Sequence, residues 1–193
     1  MNNNTESKRA MKQNKTRFSK LIPCSSTARL GVALVAMGLL LAVVPCVKAQ
    51  TKLATADKTF ILAAAQGGMT EVKLGELAAR KGKRDDVKEF GQMMVKDHTA
   101  INGDLKTLAE QKGVALPDSL DTKHQGMVDK MAALTGSDFD NAYIAAMLKD
   151  HKADADAFKA ESTETQDTDI KSFVDKSFPV VTQHLESISS MKK

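Results

Sequence analysis

Cysteine is nearly absent from this chain of 193 residues, and both copies, Cys24 and Cys46, lie before residue 50. Residues 50–193 therefore contain no thiol, which excludes disulfide bonds and cysteine nucleophiles from that part of the chain. We also find no Ser-His-Asp arrangement that would support nucleophilic catalysis. The fold must come from core packing alone, and a segment of this length is sufficient for a hydrophobic core.

Proline and strand-like alternation are also scarce after residue 49. Only Pro117 and Pro179 remain there, whereas alanine, leucine, lysine and methionine are plentiful. Apolar residues recur at steps of three and four, which is typical of amphipathic helices. The glycines show no phosphate-loop spacing. The sequence therefore predicts an all-α fold.

The first 49 residues differ in composition from the rest. A polar and basic stretch precedes the charge-free apolar run "LGVALVAMGLLLAVV". After this run, Val47 and Ala49 stand one residue apart and match the small-x-small pattern of a cleavage site. A basic leader, an apolar run of about 7–15 residues and a small-residue cleavage site are typical of a secretory signal peptide. We predict that residues 1–49 are a signal peptide cut after Ala49, and that the protein is exported.

Two alternatives to a cleaved signal peptide stay open, a retained membrane anchor and a lipid attached to Cys46. The apolar run is shorter than the roughly 20 residues of a bilayer span, and Pro45 is a poor residue before a lipidated cysteine. After cleavage we expect no membrane span.

The leader holds eight of the 28 basic residues and one of the 24 acidic ones, which leaves 20 basic and 23 acidic residues. The basic balance of the whole chain thus belongs to the leader, and we expect no nucleic-acid partner.

The apolar periodicity predicts four long helices and one short helix. Their expected bounds are Asp57 to Arg80, Asp85 to Lys112, the short Asp121 to Leu134, Ser137 to Glu161, and Thr168 to Met191. Ser137, with Asp140 three residues later, resembles a capping box, and Pro179 should bend or split the last helix. Two hairpins joined by a long crossover that contains the short helix predict a ferritin-like four-helix bundle over residues 50–193.

A short repeat marks two of the long helices, because "MVKDHTAIN" around His98 recurs as "MLKDHKADA" around His151. Each long helix carries one metal-competent residue on its apolar stripe, and these are Glu71, His98, His151 and His184. At a rise of 1.5 Å per residue, the positions of Glu71 and His98 along the bundle axis differ by roughly 6 Å. Their side chains can therefore converge. Imidazoles with one carboxylate favour zinc, iron or copper. Asp97 and Asp150 are candidate acceptors that orient the imidazoles, although both would equally suit the surface.

A structural role for the histidines is the competing interpretation. Buried imidazoles commonly bond to neighbouring carboxylates, and the protein would then be a non-enzymatic envelope protein that contacts another protein through its surface. An exposed apolar patch on the crossover helix, at Met127, Val128 and Met131, would favour this interpretation. A metal-dependent oxidase or hydrolase ranks third, because the sequence indicates no substrate pocket.

Four segments taken together resemble the exported bacterial family called domain of unknown function 4142: "FILAAAQGGMTEVKLGELA", "VKEFGQMMVKDHTAINGDLKTLAEQKGVALP", "FDNAYIAAMLKDHKADADAF" and "IKSFVDKSFPVVTQHLESI". The resemblance implies export, a periplasmic or outer-membrane-associated location and a ferritin-like bundle, and it implies no activity. The chain departs from di-iron ferritins, which carry Glu-x-x-His on two helices. Val95 and Leu148 stand where those glutamates would be. The residues therefore favour a site for one metal ion over a di-iron centre.

Overall fold

The computed structural model describes residues 52–191, so the predicted signal peptide and its two alternatives lie outside the described residues. No strand is present between residues 52 and 191, and the predicted all-α class is confirmed. The five helices are α1 (Thr55–Lys81), α2 (Asp85–Lys112), α3 (Thr122–Ala132), α4 (Gly136–Glu164) and α5 (Thr168–Ser190). The bounds of α2 are those predicted, and the short crossover helix is present as α3.

Contacts at the two ends of the structure define the direction of each long helix. At one end, Asp140 near the start of α4 accepts hydrogen bonds from the backbone N–H groups of Lys83 and Arg84, which join α1 to α2. At the other end, Lys112 in the last turn of α2 pairs with Asp169 in the first turn of α5, at 2.6 Å. Helices α2 and α4 therefore run parallel, and α1 and α5 run in the opposite direction.

Each long helix packs against two antiparallel neighbours. Helix α1 contacts α2 and α4, helix α5 contacts the same two helices from the other side, and α3 lies against α1. The crossover through α3 returns the chain to the end where α2 begins. Because α2 and α4 start at the same end, the two Lys-Asp-His repeats lie at nearly the same depth. The ferritin-like assignment of this bundle stays a prediction.

The helix ends show where local sequence patterns were wrong. The predicted capping box at Ser137 does not form, because α4 begins after Thr135 without a side-chain cap, and Asp140 bonds to the α1–α2 connection instead. Pro179 lies inside α5 without splitting it. Proline has no N–H, so the Asp175 carbonyl oxygen lacks its usual helical hydrogen bond. Pro179 and Asp175 are both exposed, so water can supply that bond instead. Gly113 ends α2 in the left-handed region, with φ of 66°.

The interior of the bundle contains two apolar clusters. One includes Leu74, Met94, Met147 and Ile188, and the other includes Leu105, with further residues from the opposite half of every long helix. Met131 of α3 is buried in the first cluster, Val128 packs against that cluster, and Met127 is half-buried, so these three residues do not form a fully exposed apolar patch of the kind that would favour the competing interpretation. None of the helices between residues 52 and 191 has the length and apolar character of a bilayer span.

Candidate metal centre

A layer of buried polar residues separates the two apolar clusters. Its members, one from each long helix, are Glu71, His98, His151 and His184, with relative exposures of 2%, 3%, 0% and 0%. Each of them lies in sequence between residues of one cluster and residues of the other. The helical period carries them to the bundle axis with the apolar stripe. Burying four polar groups together is unfavourable unless they find partners.

The three imidazoles lie against one another in this layer. Their ring centroids are 5.7 Å apart for His98 and His151, 5.2 Å for His98 and His184, and 5.4 Å for His151 and His184. One ring nitrogen from each histidine lies within 4.8 Å of the corresponding nitrogens of the other two. The structure therefore brings all three predicted histidines together, each from a different helix.

On each of the three rings, one nitrogen has an oxygen atom beside it. His184 Nε2 donates to Asp97 Oδ2 at 3.0 Å, and His151 Nδ1 donates to the Met147 carbonyl oxygen at 3.0 Å. His98 Nδ1 lies 2.8 Å from Glu71 Oε2. Carbonyl and carboxylate oxygens accept only, so the paired nitrogens of His151 and His184 carry the hydrogen. The lone pair of each of these two rings is then on the other nitrogen.

The remaining ring nitrogens are buried without a partner. His98 Nε2, His151 Nε2 and His184 Nδ1 form no hydrogen bond with any of the residues that the structure describes. Glu71 Oε1 is likewise unpaired in that part of the chain, and it lies 3.5 Å from His151 Nε2. Buried polar atoms normally have partners. Four such atoms in one layer are the feature of this structure that most needs a chemical explanation.

The electrostatics of the layer favour neutral groups. Burial lowers the pKa of His98 to about 4 and the pKa of His151 to about 3. Burial also lowers the pKa of His184, although its hydrogen bond to Asp97 opposes that shift. Burial and the charge of Asp150 raise the pKa of Glu71 to about 8. At neutral pH the imidazoles therefore keep their lone pairs, which is the form that binds metal ions.

A second group of carboxylates adjoins the histidines. Glu71, Asp150 and Asp154 offer carboxylate oxygens that lie within 4.8 Å of one another. Burial, followed by the charges of Glu71 and Asp150, raises the pKa of Asp154 to about 8, and burial raises the pKa of Asp150. Asp150, a candidate either for an acceptor that orients an imidazole or for a surface carboxylate, lies beside Glu71 in this group.

Two further residues near the layer had no predicted role. Asp154 lies one turn after Asp150, and this spacing was the signal in the sequence that both carboxylates share a face of α4. The Tyr143 hydroxyl is buried without a partner in the described part of the chain, two turns before His151. His124, the remaining histidine, donates its backbone N–H to Asp121, the residue that caps the start of α3, and takes no part in the layer.

Comparison with solved structures supports a helical bundle. The chain is similar to the crystal structure of a DUF305 fragment from Deinococcus radiodurans, with a TM-score of 0.63 and 7% sequence identity over 72% of this chain and 96% of that chain. It is also similar to CopM in its Cu(I)-bound form, with a TM-score of 0.59 and 17% identity over 70% of this chain and 94% of that one. At these identities the likeness establishes the fold alone.

A family model also matches the chain. The family model described as domain of unknown function (DUF4142) matches residues 42–191, which covers the whole described structure. No curated protein matches the chain. The geometry of the polar layer therefore has to supply the functional argument.

Proposed function

Since the chain belongs to the family called domain of unknown function 4142, whose name assigns no activity, we propose a function from the geometry of the polar layer. We propose that the core of the bundle binds one transition-metal ion. His98, His151 and His184 are the proposed ligands, and Glu71 is the fourth donor. We also propose that the protein is exported and performs this role in the periplasm or at the outer membrane, as its leader suggests.

One observation carries the proposal, which is the unpaired nitrogen on each of three adjacent imidazoles. If the histidines were only structural, each ring would have both nitrogens paired with protein groups, because an orphaned buried acceptor costs about 1–3 kcal/mol. Three such nitrogens in one layer are instead the arrangement expected of a set of metal ligands. A bound cation would satisfy all three lone pairs at once.

The groups behind the imidazoles support the same interpretation. Histidine ligands usually donate their other N–H to a carboxylate or a backbone carbonyl, which fixes the orientation of the ring. Asp97 serves His184 in this way and the Met147 carbonyl serves His151, while Glu71 lies behind His98. His151 and His184 thus each have an acceptor on the outer side of the ring, while His98 contacts Glu71, which is itself one of the proposed donors.

The donor set narrows the choice of ion. Imidazole nitrogens with one carboxylate suit zinc, copper or iron. The cavity beside the layer, which Glu71 and His98 line, has a volume of only about 20 Å³. That volume suits roughly one water molecule and leaves no room for an organic substrate. We therefore propose binding and handling of the ion, without catalysis, as the role of the layer.

The experiment is a metal count on purified, tag-free protein that has been equilibrated with zinc, copper or iron and then desalted. Plasma mass spectrometry should find about one ion per chain in the wild type for at least one of the three metals. His98→Ala/His151→Ala should lose it, and His124→Ala, which removes a histidine outside the layer, should keep it. A wild type that retains none of the three metals, or a double variant that retains as much as the wild type, would overturn the proposal.

A further inference from the structure

The histidine layer lies deep inside the bundle, so a metal ion needs a passage to reach it. The apolar clusters that include Leu74 and Leu105 cover the layer towards the two ends of the bundle. The side chains of His98, His151 and His184 are buried, and none of these residues is more than 3% exposed. An ion that binds the three imidazoles must therefore cross the wall of the bundle between two helices.

Two of the interfaces between the long helices are filled near the layer. Between α1 and α2, a Cβ atom on Gly68 would lie 2.0 Å from Asn102 Oδ1, so the Asn102 side chain already occupies that space. Between α2 and α5, Asp97 accepts the hydrogen bond from His184 at 3.0 Å. An ion that approached from this side would meet an N–H group instead of a lone pair.

The interface between α1 and α4 contains a glycine at the corresponding depth. Phe60, Gly67 and Glu71 are separated by seven and four residues, so they share one face of α1. Phe60 contacts Phe158 of α4, with ring centroids 5.1 Å apart. Glu71 lies beside Asp154 of the same helix. Gly67 therefore faces α4 between these two contacts.

Open space lies beside Gly67. A Cβ atom at this position would have no side chain and no neighbouring helix of the described structure within 4 Å. Gly67 is half-buried, and it lines the same cavity of about 20 Å³ as Glu71, His98 and Asp154. The cavity of the histidine site thus extends from the imidazole layer to a position without a side chain at the edge of the bundle.

We propose that metal ions enter and leave the histidine layer between α1 and α4, at Gly67, where the missing side chain keeps the passage open. The cavity holds roughly one water molecule, so an entering ion must lose most of its water ligands. The half-buried carboxyl group of Asp154 offers oxygen atoms that can replace them. Glu71 lies at the inner end, where it contacts both His98 and His151. This passage rests on the proposed function, because it has a role only if the layer binds a metal ion.

The experiment separates the rates of metal binding from the affinity. Uptake of Zn²⁺ by the metal-free protein is followed by stopped-flow absorbance with a chromogenic chelator, and release is followed after excess chelator is added. Copper or iron takes the place of zinc if the wild type retains that metal instead. A barrier on the path slows both directions equally, so it changes the rates without changing Kd.

Gly67→Leu should slow uptake and release by about tenfold, because its side chain would cover the interface between α1 and α4, and Kd should stay within about twofold of the wild type. Gly67→Ala adds one carbon to the same open space and should slow both rates less. The matched control is Gly103→Leu, which places the same side chain in open space on α2 and should keep the wild-type rates.

The outcomes distinguish a failed passage from a failed metal site. Wild-type rates in Gly67→Leu, or an equal decrease in Gly103→Leu, would overturn the passage while the histidine site stands. A Kd that rises in Gly67→Leu as much as the uptake rate falls would also overturn it, since the substitution would then damage the site itself. A wild type that binds none of the three metals would overturn both proposals. Circular dichroism confirms the folding of each variant, and if Gly67→Leu does not fold, Gly67→Ala and Gly103→Ala are compared in the same way.

Discussion

Removing the carboxylate of Asp97 should weaken metal binding although Asp97 itself is not a proposed ligand. His184 is fully buried, and its Nε2–H donates to Asp97 Oδ2 at 3.0 Å. In Asp97→Ala this N–H loses its acceptor, so the ring is no longer fixed in the orientation that aims Nδ1 at the ion. Changes to such outer acceptors typically cost about 10–100-fold in metal affinity, which corresponds to about 1.4–2.7 kcal/mol.

The burial of Asp97 sets where in that range the effect should fall. Its side chain is 26% exposed, so water can replace part of the lost bond, and we expect about tenfold. Asp97→Asn keeps an amide oxygen that can accept the same bond, so its loss should be smaller than that of Asp97→Ala. The same reasoning predicts that the metal-free Asp97→Ala protein is less stable by about 1 kcal/mol.

The assay is competition against a chromogenic chelator for zinc or copper, with urea unfolding of the metal-free proteins beside it. The matched control is Asp104→Ala on the same helix, which removes a surface carboxylate paired with Lys176 and should leave metal affinity unchanged. Wild-type affinity in Asp97→Ala, or an equal loss in Asp104→Ala, would refute the proposed orienting role.

Three further predictions concern packing, pH and metal removal. Gly91→Ala should lower the free energy of unfolding in urea by about 1–3 kcal/mol, because the new Cβ would lie 2.7 Å from the Gly75 carbonyl oxygen. Gly103→Ala, which is in open space on the same helix, should raise the free energy of unfolding by up to about 1 kcal/mol. Equal effects of the two substitutions would contradict the close packing of α1 and α2. The pKa values of Glu71 and Asp154 are raised to about 8 in the fold, so their stabilising contribution is present at low pH and is lost as the pH rises through 8. The melting temperature of the metal-free protein should therefore fall between pH 6.5 and 8.5, and less so in Asp154→Asn; a flat wild-type profile would contradict these shifts. Metal at 100 times its Kd stabilises the fold by about 2.7 kcal/mol, so a chelator should lower the melting temperature by roughly 5–10 °C, and no change in calorimetry would count against a buried site.

The helices and the meeting of the histidines follow from periodicity, which the sequence displays directly. An apolar stripe fixes which face of each helix is buried, so residues on it, including His98 and His151, had to point inward. The position of each histidine along the bundle axis then depends on the direction in which its helix runs. The crossover between α2 and α4 determines that direction for the second pair of helices. The structure supplies this last fact through the bonds of Asp140 to the α1–α2 connection.

The same Asp140 shows why part of the site could not be predicted. Local spacing with Ser137 suggested a capping box, but the carboxylate bonds to residues more than 50 positions away, and no local pattern records such a partner. Asp150 and Asp154 are a similar case. Their spacing shows that they share a face, while their approach to Glu71 depends on how α1 packs against α4.

The most direct test of a metal ion in the bundle core is its position in crystals of metal-loaded protein. Anomalous diffraction at the absorption edge of zinc, copper or iron should show one peak in the polar layer. For zinc it should lie about 2.0–2.1 Å from a ring nitrogen of each of His98, His151 and His184. A peak confined to surface side chains, or an empty layer in protein that was loaded with each metal in turn, would contradict the proposal.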